Sequence, residues 1–359
     1  MNRIYNFSAG PATLPLETLM EAQADLVDYQ GSGMSIMEMS HRGKHYDAVH
    51  QEALANFREL LSVPDTHDIL FMQGGATSQF SFVPMNLLGA GETADYINSG
   101  AWAKKAIEEA KILGKVNVAA NFGKEIPTRQ AYADELQLTP GAAYLHCTSN
   151  ETISGAQIQD FPVSDAPLVC DMSSDILSRP LDISKFGLIY AGAQKNLGPS
   201  GVTLVILRKD LAERVPETVP MMFRYKTHMD NQSLYNTPPT FGVYILCLVT
   251  RWLKAQGGVN AMADLNRRKA DKLYRAIDAG DFYRGTALPQ FRSTMNVTFR
   301  LPSEDLEADF IKEAKKLNMD GLKGHRSVGG IRASIYNAFP EAGVDALVAF
   351  MKEFEANHG

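Results

Sequence analysis

The middle of this 359-residue chain alternates short apolar runs with amphipathic segments, and that rhythm limits the fold more than any other feature. Residues 68–72, 93–97, 142–146, 168–171, 188–191 and 202–207 read as strands. Helical patterns lie between several of them, such as 102–113 with Lys104, Lys105, Glu108 and Glu109 on its charged face. The longest apolar stretch, 241–249, reads as a buried helix. Strands separated by helices return in parallel, which predicts an α/β unit built on a mostly parallel sheet. From about Val259 the texture changes. A charged helix at 261–277, a strand at 293–299, a helix at 303–317, a strand at 330–334 and a last helix at 343–355 predict a smaller α+β unit. Gly257-Gly258 marks the expected junction.

The length favours two domains sharing a cleft, because one core rarely grows beyond roughly 250 residues. A net charge of −6 offers no basic field for nucleic acid. No run approaches the ~20 apolar residues that a membrane helix requires, and the first residues lack the apolar stretch of a signal peptide. The three cysteines, Cys147, Cys170 and Cys247, are scattered and sit beside apolar residues. That pattern predicts reduced thiols and a cytoplasmic setting.

The strongest chemical signal is Tyr190-Ala191-Gly192-Ala193-Gln194-Lys195-Asn196-Leu197-Gly198-Pro199. An apolar strand ends in small residues and then presents one lysine. In a desolvated pocket a lysine amine attacks carbonyls, and small neighbours admit a planar cofactor. An isolated lysine in a loop is usually a surface group, so its partners decide. Asp171 ends the apolar run 168–170, at the strand edge where open α/β sheets bind ligands. A carboxylate there can keep a pyridine nitrogen protonated, although it can equally cap a helix. Gly74-Gly75-Ala76-Thr77 follows a strand and opens a helix, an arrangement of backbone N–H groups suited to a phosphate. Trp102 begins a helix after Asn98-Ser99-Gly100 and could stack on a cofactor or pack in the core. Two histidine–arginine pairs, His41-Arg42 and His325-Arg326, lie in polar loops, and Arg332 lies in an apolar segment where a charge needs a partner.

Assembled, these segments resemble the phosphoserine aminotransferase family, class-V enzymes of pyridoxal-phosphate fold type I. The resemblance spans the chain and rests on residues 6–12 (Asn-Phe-Ser-Ala-Gly-Pro-Ala), 37–43, 191–196, 236–241, 323–326 and 333–338. It implies a seven-stranded, mostly parallel sheet in a large domain of residues 14–256. Residues 1–13 and 257–359 would form the small α+β domain. It implies that Lys195 carries pyridoxal phosphate as a Schiff base and that Asp171 pairs with the ring nitrogen. Trp102 would stack on the ring, and Thr152 would bond its phenolic oxygen. Ala76, Thr77 and Gln194 would hold the phosphate, joined by Asn236 and Thr237 from a second subunit of a homodimer. Arg332 would clamp the substrate α-carboxylate. His41 and Arg42 from the neighbour, with His325 and Arg326, would bind a side-chain phosphate or γ-carboxylate. No metal is expected.

The implied reaction moves an amino group between L-glutamate and 3-phosphohydroxypyruvate in serine biosynthesis, with a related phospho-keto acid of vitamin B6 synthesis as a family expectation. Two departures stand out: Thr77 where some members carry a basic residue, and Ala9 where relatives have serine. Rival readings fit less well. A cysteine desulfurase needs an exposed nucleophilic cysteine. A non-catalytic, cofactor-carrying regulator needs no duplicated cationic pairs. A nicotinamide oxidoreductase lacks its glycine fingerprint here.

Overall fold

A computed structural model of the chain describes residues 3–125 and 127–359, leaving the first two residues of the 1–13 segment outside the description. Seven strands form the main sheet: β1 (His67–Gln73), β2 (Thr93–Asn98), β3 (Lys115–Asn121), β4 (Leu145–Thr148), β5 (Leu168–Asp171), β6 (Leu188–Gly192) and β7 (Val202–Arg208). Their spatial order is β1-β7-β6-β5-β4-β2-β3. Only β7 runs antiparallel to its neighbours, so six strands share one direction. Side chains alternate between faces. Leu204 and Ile206 of β7 enter one core, while Val205 and Leu207 enter the other. Helices α1 (Leu16–Ala24) and α2 (Lys44–Leu60) precede the sheet, and α3 (Gly75–Leu87) and α4 (Ala101–Leu113) follow its first two strands. Helices α2 and α5 (Thr240–Ala255) supply the first core, α3 and α4 the second.

Within the main sheet, two differences from the sequence reading are local; in the C-terminal part the strand expected at 293–299 begins only at Asn296. β3 was not expected: its run, Lys-Val-Asn-Val-Ala-Ala-Asn, is short in bulky residues because it lies at the sheet edge, half covered. The ladder of β4 begins at Leu145, three residues later than the pattern at 142–146 suggests. Ala142 and Ala143 belong to the approach from the Gly141 turn, where Ala143 N already bonds Thr93 O (2.8 Å).

The C-terminal part has its own core. Helices α6 (Gly258–Ile277), α7 (Glu304–Lys316) and α8 (Glu341–His358) cover an antiparallel sheet of β8 (Arg284–Gly285), β9 (Asn296–Arg300) and β10 (Ile331–Ser334). The N-terminal segment joins this part: Tyr5–Asn6 pairs with Met319–Asp320, and Phe7 enters its core. Lys269 of α6 is fully buried, and its ammonium donates to the carbonyls of Ile335, Tyr336 and Phe339 (2.9, 2.7 and 3.2 Å). Burial pushes its pKa down to about 7, while three acceptors favour the charged form. The clamp fixes the segment that carries Asn337, and Asn337 reaches the lysine turn described next.

Candidate active site

All six parallel strands end on one edge, so the segments after β1, β2, β4, β5 and β6 converge there. After β6 the chain turns: Leu197 N and Gly198 N both donate to Ala193 O (3.1 and 2.8 Å). The turn projects Lys195 from the edge. Helix α5 crowds it so closely that a Cβ on Gly198 would lie 2.7 Å from Leu246 Cδ1. Buried Asn196 ties the turn to both parts of the molecule. Its Nδ2 donates to Ile176 O (2.6 Å), and its Oδ1 accepts from Asn337 N (3.0 Å). The N-terminal segment packs against the lysine stem, since a Cβ on Gly10 would meet Lys195 Cγ at 3.3 Å.

Burial pushes the Lys195 amine below its ordinary pKa, Asp171 and Glu151 oppose that shift, and Arg332 reinforces it. Asp171 is buried at the end of β5. One of its oxygens, Oδ1, accepts from Ser173 N (2.9 Å) and Ser173 Oγ (2.6 Å). Burial raises its pKa, countered by Lys195 and by Ser173. Its second oxygen has no protein donor among the described residues, which leaves it free for a protonated ring nitrogen.

Trp102 follows Gly100 at the start of α4, and its indole Nε1 donates to Thr152 Oγ1 (2.8 Å). A hydroxyl that accepts from an indole keeps its own proton to donate, as a phenolic oxygen requires. Thr152 O accepts from Arg332 Nη1 (3.2 Å), so one residue links the ring platform to β10. Sequence reasoning missed Glu151. This fully buried carboxylate accepts from Ser99 Oγ (3.2 Å), Trp102 N (3.4 Å) and Ala103 N (3.2 Å), capping the helix that carries Trp102. Burial raises its pKa to about 7, against those three donors. No local pattern marks it, because its partners lie about fifty positions away.

The glycines at 74 and 75 take left-handed φ values of 96° and 69°, which turn β1 into α3. The first N–H groups of α3 have no intrahelical acceptor. Among the described residues Gln194 Oε1 is buried without a hydrogen-bond partner, and a Cβ on Gly192 would lie 2.8 Å from it and 3.3 Å from Ala76 N. This cradle at Gly192, Gln194 and Ala76 fits a phosphate whose hydroxyl or oxygens approach backbone. The orphaned Gln194 oxygen, the free Asp171 oxygen and the poised Lys195 amine together fit pyridoxal phosphate. Thr77 is exposed at the same helix start.

Arg332 lies on β10, its charge acts on Lys195, and among the described residues its buried Nε has no partner. His325 and Arg326 stand nearby: the His325 pKa is lowered by burial and by the charges of Arg332, Arg326 and Lys105. Among the described residues no hydrogen bond or ion pair joins His41 or Arg42 to this group. They lie before α2, where Arg42 Nε contacts His41 Nε2 (3.4 Å). Asn236 and Thr237 also stay apart from it, and Thr237 O accepts from Gln73 Nε2 (3.2 Å).

A lysine and a carboxylate at adjacent strand ends, an indole platform and a helix-start cradle define a class of enzyme, and the class-V aminotransferase model matches residues 4–347. The protein is a pyridoxal-phosphate-dependent transferase of fold type I. It is 56% identical over 361 residues to the phosphoserine aminotransferase of Desulfatibacillum aliphaticivorans, covering 100% of this chain and 99% of that one. The solved phosphoserine aminotransferase of Bacillus circulans subsp. alkalophilus superposes with a TM-score of 0.96 at 53% identity, over 99% of each chain. A phosphoserine aminotransferase structure reporting radiation damage of its Schiff base gives 0.97 at 49%, over 99% of this chain and 100% of that one. The chain belongs to the phosphoserine aminotransferase family. Cys147, Cys170 and Cys247 are all buried, and burial pushes the Cys247 thiol up to about 12. None can serve as the exposed nucleophile of a desulfurase.

Proposed function

We propose that the protein exchanges an amino group between L-glutamate and 3-phosphohydroxypyruvate, giving 2-oxoglutarate and O-phospho-L-serine, reversibly. The observation that carries this reading is a set of cations beyond Lys195 that have no carboxylate partner among the described residues. Arg332 stands beside the amine, with His325 and Arg326 further out, which suits substrates with an anion at each end. Lys195 would hold pyridoxal phosphate, Asp171 its ring nitrogen, and Trp102 and Thr152 its ring face and phenolic oxygen. Ala76, Thr77 and Gln194 would hold its phosphate. When bound, the cofactor supplies an electron sink conjugated to the substrate α-carbon. Lys195 Nζ takes the proton from the donor's α-carbon and returns one to the acceptor's α-carbon in the other half-reaction. Burial raises the neutral, proton-accepting fraction of the amine near neutrality, and Asp171 and Glu151 oppose that shift. Arg332 orients the α-carboxylate. The longer phospho-keto acid of pyridoxine synthesis has the same two anionic ends and would occupy the same groups. The unpaired, buried thiols support a cytoplasmic setting.

A screen of amino donors and keto acceptors with purified protein tests the reaction. Glutamate and O-phospho-L-serine should be the preferred donors, and preference for an uncharged donor would sink the proposal.

The working form would be a homodimer with shared sites. Support comes from His41 and Arg42 standing outside the cation group of their own chain. They follow a segment with exposed Met20, Leu26, Val27, Met34 and Met37, an apolar surface that a second copy would cover. Asn236 and Thr237 would reach the neighbour's cofactor phosphate. Mixing inactive Lys195→Ala and Arg42→Ala subunits should then restore about a quarter of native activity, because half the dimers are hybrid and each hybrid has one intact site. Hybrid dimers that form yet stay inactive would place both residues in the same subunit's site.

A further inference from the structure

The outer end of the cleft holds one cation that neither the sequence motifs nor the roles assigned above account for. Lys105 lies on α4, one turn after Trp102, and its Nζ stands 4.8 Å from the centre of the indole ring. Lys195 Nζ stands 5.2 Å from the same ring. The indole therefore carries the reacting amine and Lys105 within one ring's reach. From there Lys105 also acts on His325, together with Arg326 and Arg332, although these three come from the C-terminal part. Its neighbour Lys104 is engaged by Glu108 (3.6 Å), an ordinary pair along one helix face. Among the described residues Lys105 has no carboxylate partner, and neither do Arg326 and Arg332. The charges of Lys105, Arg326 and Arg332 thus all act on one histidine, and Lys105 shares the indole with the Lys195 amine. Such a group repels itself, and an anion in their midst relieves the repulsion.

We propose that Lys105 is a specificity-determining residue, an ammonium that holds the phosphate of the phosphorylated substrate at the cleft mouth. The proposal rests on the phosphoserine reading of the site. A lysine is a compact point charge on a flexible stem, so it suits a phosphate that presents oxygens in several directions. A phosphate monoester carries close to two negative charges near neutrality and a γ-carboxylate only one. Lys105 therefore favours the phosphorylated partner over glutamate. The cation–π contact with Trp102 orients the stem and leaves the ammonium free to meet the anion.

Lys105→Gln keeps the stem against the indole and removes the charge. KM for O-phospho-L-serine should rise about tenfold, and KM for glutamate by about threefold or less, with smaller changes in kcat; the tenfold rise corresponds to ~1.4 kcal/mol. The competitive inhibition constant of inorganic phosphate should rise in parallel, and Lys105→Arg should recover most of the loss. Lys104→Gln removes a charge one residue away and serves as the comparison. A merely structural prop for Trp102 would affect both donors alike and would not change inorganic phosphate binding; that pattern overturns the proposal. So does an equal effect from Lys104→Gln, which would show a diffuse field instead of a contact. Native protein that does not use O-phospho-L-serine would instead fail the reading on which this rests, and the two failures are thus distinct.

Discussion

Lys195→Ala should leave a folded protein whose turnover with either amino donor has fallen by about 10⁴-fold or more, since in the proposed reaction one group performs both the covalent attachment and the proton transfer. Two lysine ammonium groups face the Trp102 ring, so the prediction must separate them. Lys195 sits beside Asp171, and burial lowers its pKa, which increases the neutral, nucleophilic fraction at a given pH. Lys105 is exposed and lies on the outer part of the helix. Borohydride treatment of the native yellow protein should fix the cofactor on the peptide containing Lys195, and Lys195→Ala should lose that label. Label on the Lys105 peptide, or native-like turnover in Lys195→Ala, would reverse the assignment. The alanine variant should stay folded, because the turn is held by Asn196, by Ala193 O and by the Asn337 contact, none of which uses the lysine amine.

The legibility of this chain in its sequence follows from how local each signal is. Strands buried on both faces, such as 168–171 and 202–207, announce themselves as apolar runs, and the structure places them where the pattern does. The edge strand Lys115–Asn121 is covered on less of its surface, so its run carries alanine and asparagine and no clear period. The positions of Lys195 and Asp171 at the cleft edge were legible because Asp171 ends one apolar strand and Lys195 comes shortly after another, and a polar group at a strand's carboxyl end faces the cleft by construction. Glu151 also follows a strand closely, yet its sequence neighbours Ser149, Asn150 and Thr152 are polar too. Its task is set by Trp102 and Ala103, which only the folded chain brings near. Lys105 looked like part of a solvated helix face beside Lys104, Glu108 and Glu109. What singles it out is the loop at His325, more than two hundred residues later. Separation in sequence also hides the Asn266–Asn337–Asn196 links, in which Asn266 Nδ2 donates to Asn337 Oδ1 (2.8 Å) and joins α6 to the lysine turn.

Arg332→Ala should impair both half-reactions alike, because every donor and acceptor in the proposed reaction has an α-carboxylate. The side chain is positioned for that task by its strand. Arg332 N donates to Leu322 O (2.8 Å), β9 holds the other edge through the Thr298 register, and Nη1 bonds Thr152 O (3.2 Å). Burial lowers the Arg332 pKa, and among the described residues no carboxylate pairs with the guanidinium, so it waits for an anion. Removing one partner of a desolvated charge pair costs roughly 2–5 kcal/mol. At ~1.4 kcal/mol per decade that is about 30-fold to several-thousand-fold in rate. Arg332→Lys should recover only part, because an ammonium keeps the charge but loses the fork that grips two carboxylate oxygens. Arg326→Ala supplies the contrast: exposed at the cleft mouth, it should slow O-phospho-L-serine more than glutamate. Single-turnover rates for each variant with each donor decide the matter. A loss confined to one donor in Arg332→Ala would move this arginine from the shared carboxylate to a side-chain subsite.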